Sequence, residues 1–274
     1  DKSADGSHEV RGRTLGIIGY GNIGTQLSTL AEAMGMRVIY FDHTDKLRHG
    51  NTEPVGSLTE LLSQSDIVSL HVPETPATSG MIGEPELRLM KQGAYLINNS
   101  RGTVVDLGAL ARALRDGHLA GAAVDVFPVE PTSNGERFAS PLQGLKNVIL
   151  TPHIGGSTEE AQDRIGTEVA RKLIDYFDNG STMGAVNFPQ VQLPARALGV
   201  RFSQVHRNVP GMLRRLNEVF LQRDVNIVAQ YLETDSEVGY VVLDVDLPIE
   251  KSQPILDDIR ALDGTIRARL VYEH

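Results

Sequence analysis

Over the first half of the chain, short apolar runs alternate with stretches of helical spacing. Thr14–Ile18 reads as a buried strand that ends at Gly19. From Asn22 to Met34 the apolar residues Ile23, Leu27, Leu30, Ala31 and Met34 recur at the period of a helix face. Arg37–Phe41, Ile67–Val72, Ala94–Asn98, Ala122–Val126 and Val148–Leu150 read as further strands. Ser57 and Glu60 make a capping box ahead of Leu61 and Leu62. Asp106–Arg115 reads as a helix stopped by Gly117. Strands alternating with helices predict βαβ units and an α/β fold, a parallel sheet covered on both faces in the doubly wound Rossmann manner.

The second half has a different pattern. Residues 157–179 form the longest helical stretch, with Ser157 and Glu160 as its expected cap and Asn179-Gly180 as its stop. Ser181–Pro194 has two prolines and little periodicity and reads as a linker. Then follow a strand (Leu198–His206), a helix (Pro210–Gln222), two strands (Val225–Glu233 and Val238–Asp246), a helix (Glu250–Leu262) and a strand (Thr265–Tyr272). That order is βαββαβ, the ferredoxin-like pattern. The expected organisation is a nucleotide-binding domain over 10–152, a helix and linker over 153–186, and a small C-terminal domain over 197–274.

Composition narrows the classes. The chain has 274 residues, 41% hydrophobic and 22% charged, which is enough apolar content for a real core. It has no cysteine, so disulfides, thiolate zinc sites, iron–sulfur clusters and a cysteine nucleophile are excluded. No metal site is expected, and a cysteine-free chain fits a cytoplasmic location. A net charge of −9 argues against nucleic acid as a partner. It leaves room for an anionic small ligand, which needs only a local positive field. No apolar run approaches a membrane span. Residues 1–9 are polar and lack the apolar core of a signal peptide.

Gly19-Tyr20-Gly21-Asn22-Ile23-Gly24 is GxGxxG. It follows a strand, opens a helix, and has Asp42 at the end of the next strand. In that context it is a dinucleotide fingerprint. Gly19 suits the tight turn, Gly21 the approach of the pyrophosphate, and Gly24 close helix–sheet packing. Asp42 can bind the ribose hydroxyls and would repel a 2′-phosphate, so NAD is the expected cofactor. His43 and Arg48 keep NADP open as an alternative.

Three more segments lie at strand ends, where open α/β sheets bind ligands. One carries Asn99, Ser100 and Arg101. Another carries Asp125 and Glu130. The third carries His153, Ile154, Gly155 and Gly156. An imidazole can take a hydroxyl proton, a carboxylate can orient it, and an Arg can hold a substrate carboxylate through two N–H bonds. Each residue also has a bland reading, as a turn histidine, a solvated carboxylate or a strand-end cation. Their convergence on one sheet edge beside a nucleotide turn favours the chemical one.

The segments LGIIGYGNIG, INNSRGTVVD, AVDVFPVEP and TPHIGGSTEEAQ resemble the D-2-hydroxyacid dehydrogenase family. The resemblance implies that His153 is the acid/base, Glu130 its partner and Arg101 the anchor of the substrate carboxylate. It implies that Asn22 and Ile23 meet the pyrophosphate. It places Asn99, Ser100, Arg101, Asp125 and His153–Gly156 around the nicotinamide. The C-terminal module, with HRNVPG, VNI, GYVVLDVD and GTIRARLVY, is similar to the serine-binding ACT domain found in some bacterial members. That implies 3-phosphoglycerate as substrate, NAD-dependent oxidation to 3-phosphohydroxypyruvate, and L-serine as inhibitor. It also implies an effector site at His206, Asn208 and Asn226 and a homo-oligomer, a tetramer by resemblance. In resembling enzymes an N-terminal segment helps to form the substrate domain. Only the later helix, around 157–186, is found here. The chain therefore reads as N-terminally truncated, expected to bind NAD and L-serine but to turn over slowly or not at all. The rival readings are a dehydrogenase for another D-2-hydroxy acid and a non-catalytic NAD or amino-acid sensor.

Overall fold

A computed structural model of the chain describes residues 7–133, 135–194 and 199–271. Leu198 and Tyr272, the outer residues of two expected strands, and the first six residues of the polar start lie outside the described residues. The chain divides into two compact units, one ending at Gly155 and the other starting at Gly156.

The first unit is built on a parallel sheet. Its strands are β1 (Thr14–Ile18), β2 (Arg37–Phe41), β3 (Glu53–Pro54), β4 (Ile67–Leu70), β5 (Ala94–Asn98), β6 (Leu119–Val124) and β7 (Val148–Leu150). Their order is β3-β2-β1-β4-β5-β6-β7. Helices α1 (Asn22–Ala33), α2 (Leu58–Gln64), α3 (Glu84–Leu89) and α4 (Leu107–Arg115) connect them. The order reverses direction between β1 and β4. That switch point of a doubly wound Rossmann sheet is where ligands bind. Ile18, Ile39, Val68, Leu70 and Leu96 are fully buried in its core.

Several elements differ from expectation for identifiable reasons. β6 starts at Leu119 and stops at Val124, rather than spanning 122–126. Its early residues, Ala120 and Gly121, carry no strand signal of their own and are recruited by pairing with β5. β4 stops at Leu70, just before His71, Val72 and the ring of Pro73, which has no N–H to donate. On α1, Ile23 and Leu30 are exposed, as is Met34 at its C-cap, and the packed residues are Gly24, Ser28 and Ala31. Small side chains let that helix lie close to the sheet. Ser57 caps α2 as expected, but the carboxylate of Glu60 accepts from Gly56 N–H rather than from Ser57. The short elements β3, α3 and a 3₁₀ turn at Gly102–Val104 carry too few residues to show a period.

The second unit contains α5 (Glu159–Asp178), β8 (Val200–Arg207), α6 (Met212–Gln222), β9 (Ile227–Thr234), β10 (Val238–Val245), α7 (Ser252–Ala261) and β11 (Thr265–Val271). The sheet is antiparallel in the order β11-β8-β10-β9, the ferredoxin-like arrangement. Phe202, Leu216, Phe220, Leu243, Ile255 and Ile259 fill the core between sheet and helices. The opposite face is covered by the segment expected to be a linker. Val191 and Leu193 pack there on Tyr240 and Val242, and Thr182 Oγ1 donates to Pro189 O.

Two caps also differ. Thr158 caps α5 by accepting from Ala161 N–H, in place of Ser157. Gly211, at φ 84°, precedes α6, so Pro210 sits ahead of the cap and not at the first helical position. The chain enters α6 through a left-handed turn that a glycine adopts at little cost.

Candidate active site

The nucleotide turn is shaped by its glycines. Gly19 has φ 91°, and a Cβ there would fall 2.4 Å from His71 O. A Cβ at Gly24 would fall 2.3 Å from Gly19 O, so only glycine lets α1 start this close to β1. A Cβ at Gly21 would meet nothing within 4 Å. The turn therefore keeps open the space that a pyrophosphate would fill, and the residues present fit the group. No side chain caps the N-terminus of α1, so its first N–H groups remain available to an anion.

Asp42 lies just past the end of β2, with its side chain 8% exposed. Its carboxylate accepts from Tyr20 N–H at 2.8 Å and from Thr44 N–H and Oγ1 at 3.0 Å each. Burial by itself raises the Asp42 carboxyl. The hydrogen bonds from Thr44 and Tyr20 and the charge of Lys46 outweigh it and hold the group below the usual carboxylate range. Asp42 is thus a fixed anion tied to the glycine turn. Tyr20 stacks on Tyr40 at 3.8 Å and bonds Ser28 and Thr52, which anchors the same corner.

The catalytic candidates sit past the carboxyl ends of β5, β6 and β7. Buried Asn98 closes the first loop. Its Oδ1 accepts from Ser100 N–H and Oγ, and its Nδ2 donates to Arg101 O. Arg101 Nη1 donates to Ser100 O at 2.7 Å. Gly102 brings this loop against the next one, since a Cβ there would fall 2.0 Å from the carbonyl carbon of Phe127. Glu130, on that second loop, accepts from Phe127 N–H at 2.9 Å through one oxygen. Its other oxygen is 2.8 Å from His153 Nδ1. Burial raises the Glu130 carboxyl, but the hydrogen bonds from His153 and Phe127 and the charge of His153 hold it below the usual range. Glu130 stays ionised and can orient the imidazole, leaving Nε2 free for proton exchange.

Glu130, His153 and Asp125 are therefore in direct contact, because Asp125 Oδ1 accepts from His153 N–H at 3.0 Å. Arg101 reaches the same edge through its loop and makes no side-chain bond to the pair. Asn99 and Ile154 are exposed beside them. The sequence pattern did not reveal Asn98 or Thr151. Both act through hydrogen bonds set by strand register, and the only signal is their place at a strand end.

In the second unit the three effector candidates separate. His206, at the end of β8, is 2% exposed and pairs across β10 with Gly239. A Cβ at Gly239 would fall 2.3 Å from His206 Nε2. Burial pushes the His206 imidazole down, and its Nδ1 has no partner. Asn208 Nδ2 donates to Asp235 O. Asn226 precedes β9, whose first residue Ile227 pairs with Val245 at the far end of β10. At ~3.4 Å per residue, the six steps from Gly239 to Val245 put Asn226 about 20 Å from His206 along the sheet. One module does not bring these residues together.

Comparison with known proteins completes the picture. A family model described as "D-isomer specific 2-hydroxyacid dehydrogenase, NAD binding domain" matches residues 1–155. A second, an "AHAS small subunit-like ACT domain", matches residues 202–267. The chain is 56% identical over 272 residues to D-3-phosphoglycerate dehydrogenase of Haemophilus influenzae and equally to that of Escherichia coli. Each match covers 99% of this chain and 66% of the relative, so the chain spans about two thirds of their length. A solved D-isomer specific 2-hydroxyacid dehydrogenase from Lactobacillus delbrueckii, in its NAD-complexed form, is 34% identical with a TM-score of 0.58. That match covers 66% of this chain and 58% of the other.

Proposed function

The chain belongs to the D-isomer specific 2-hydroxyacid dehydrogenase family and carries its NAD-binding domain, and from that premise we propose that it serves NAD-dependent oxidation of 3-phospho-D-glycerate to 3-phosphohydroxypyruvate. This is the first step of L-serine synthesis, and the names of the relatives at 56% identity support it. The observation that carries the chemistry is the 2.8 Å contact between Glu130 and His153 at the sheet edge served by the nucleotide turn.

His153 Nε2 takes the proton of the substrate hydroxyl. Glu130 accepts from Nδ1–H, fixes the tautomer and stabilises the imidazolium that forms. Arg101 binds the substrate carboxylate through two N–H bonds and turns C2 toward the cofactor. Bound NAD supplies the hydride acceptor. Gly19, Gly21, Asn22, Ile23, Gly24 and Asp42 would hold its adenosine and pyrophosphate. Asn99, Ser100, Arg101, Asp125 and His153–Gly156 would surround the nicotinamide. We read 10–152 as the nucleotide domain, 153–186 as part of a substrate-binding domain and 197–274 as a regulatory domain.

The regulatory domain takes L-serine as a feedback inhibitor. Because His206 and Asn208 lie about 20 Å from Asn226 within one sheet (~3.4 Å per residue), a site using all three needs two chains. That supports a homo-oligomer, a tetramer in its full assembly. No helix among the described residues is long and apolar enough to cross a membrane, and we place the protein in the cytoplasm.

The test is NADH formation with 3-phosphoglycerate and other D-2-hydroxy acids, with NAD affinity measured alongside. His153→Ala is expected to lower kcat about a hundredfold to ten-thousandfold while NAD binds within about threefold, in line with loss of the general base. Near-normal turnover in that variant would sink the assignment of His153.

A further inference from the structure

We propose that Thr151 is a positioning residue for His153 and acts through the carboxylate of Asp125. The proposal rests on the reading of His153 as the acid/base. His153 has φ 51°, and among the described residues Asp224 is the other non-glycine residue with positive φ. A side chain with a Cβ disfavours that conformation, and it persists where the surroundings over-determine it.

Two hydrogen bonds hold it here. The ring reaches Glu130 through Nδ1, and the backbone N–H reaches Asp125 Oδ1 at 3.0 Å. The second bond works only if the Asp125 carboxylate is itself held. Thr151 Oγ1 donates to the same Oδ1 at 2.5 Å. Both ends of that clamp are fixed to the sheet, since Thr151 N–H bonds Val124 O and Asp125 N–H bonds Asn98 O. Pro152 lies between Thr151 and His153, with no N–H and a fixed φ. His153 N–H is therefore the first backbone donor after Thr151, and this carboxylate recruits it. A β-branched residue at 151 also restricts χ1, so its hydroxyl loses little freedom in reaching Asp125.

Without the Thr151 hydroxyl, Asp125 can rotate away, the turn at His153 loosens, and the imidazole is less firmly presented to Glu130. The effect should fall on proton transfer, and because Asp125 also belongs to the proposed nicotinamide site, cofactor affinity should weaken alongside it.

The experiment uses the 274-residue chain, with Thr151→Val, which keeps the shape and removes the donor, and Thr151→Ser, which keeps the donor. Long-range proton–nitrogen NMR reads the His153 ring. Wild type and Thr151→Ser should show the Nδ1–H tautomer, and Thr151→Val a mixture of both. In preparations that turn over, Thr151→Val should lower kcat about tenfold and be rescued by Ser. A merely structural role would lower Tm without moving the tautomer. In wild type the His153 amide should exchange at least tenfold slower than an unbonded peptide amide, a readout that does not depend on any variant folding. Free-peptide exchange at that amide, or a Thr151→Val ring spectrum identical to wild type, overturns the proposal. If His153→Ala retains turnover, the acid/base reading fails instead, whatever the tautomer result.

Discussion

Asp42 and Glu130 are both carboxylates at strand ends, and their partners set different tasks for them. Asp42 is locked by two backbone N–H groups and a hydroxyl, so it is a fixed negative charge beside the glycine turn, where the proposed role is to bind a ribose. Asp42→Gly is expected to cut the preference for NADH over NADPH about tenfold, or ~1.4 kcal/mol. Fluorescence titration of both nucleotides reads this without turnover. Glu130 spends one oxygen on Phe127 N–H and gives the other to His153. Residue types at strand ends made this pair legible in the sequence, because a parallel sheet presents its carboxyl ends along one edge. The grip of Asn98 on Ser100, or of Tyr20 N–H on Asp42, was not legible. Such bonds depend on register and turn geometry, which periodicity does not encode.

At the scale of elements, the long apolar strands were readable and the small-residue ones were not. β6 was misplaced because Ala120 and Gly121 have no strand preference until β5 pairs with them. The C-terminal sheet holds a device that hydrophobic pattern cannot signal. Arg201 on β8 and Asp244 on β10 lie directly opposite each other and are fully buried. Arg201 Nε and Nη2 donate to the two oxygens of Asp244 at 2.6 and 2.7 Å, and Nη1 donates to Asn179 O and Pro194 O. Breaking one side strands a charge, so Asp244→Ala should cost roughly 3–5 kcal/mol. Urea unfolding followed by circular dichroism measures it. A loss below about 1 kcal/mol, the range of exposed pairs, would contradict the buried-pair account. The cap of α5 offers a smaller test. Thr158→Ala should cost about 1 kcal/mol, and Ser157→Ala should be neutral.

At the scale of the whole molecule, each unit contains a histidine kept neutral by burial. The imidazoles of His71 and His206 are both pushed down, and each has a buried Nδ1 without a partner. Unfolding restores the ordinary value near 6.5. As pH falls, the unfolded chain therefore takes up protons first, and stability present above about 6.5 is lost as pH drops toward the folded values. Thermal melts should show Tm falling between pH 7.5 and 5.5, and His206→Asn should flatten part of that fall. Assembly has its own test. Chains with Asn208→Ala and chains with Asn226→Ala should each lose L-serine binding by calorimetry. Co-refolded mixtures should recover part of it, because a mixed pair rebuilds one intact site. No recovery would mean that the effector site lies within a single chain.

The sequence alone determined the two fold types and the nucleotide turn, and it marked Glu130 and His153, the pair proposed for acid–base work. Each depends on local rules: the period of apolar residues, glycines where a Cβ cannot fit, and functional side chains at strand ends. Tertiary structure decided the rest. It folded Ser181–Pro194 onto a sheet face as cover, placed Asn226 far from His206, buried an ion pair between β8 and β10, and gave His153 its left-handed turn on Asp125. These outcomes depend on register between strands distant in sequence. Hydrogen-bond partners are chosen there by three-dimensional proximity, which spacing along the chain does not specify.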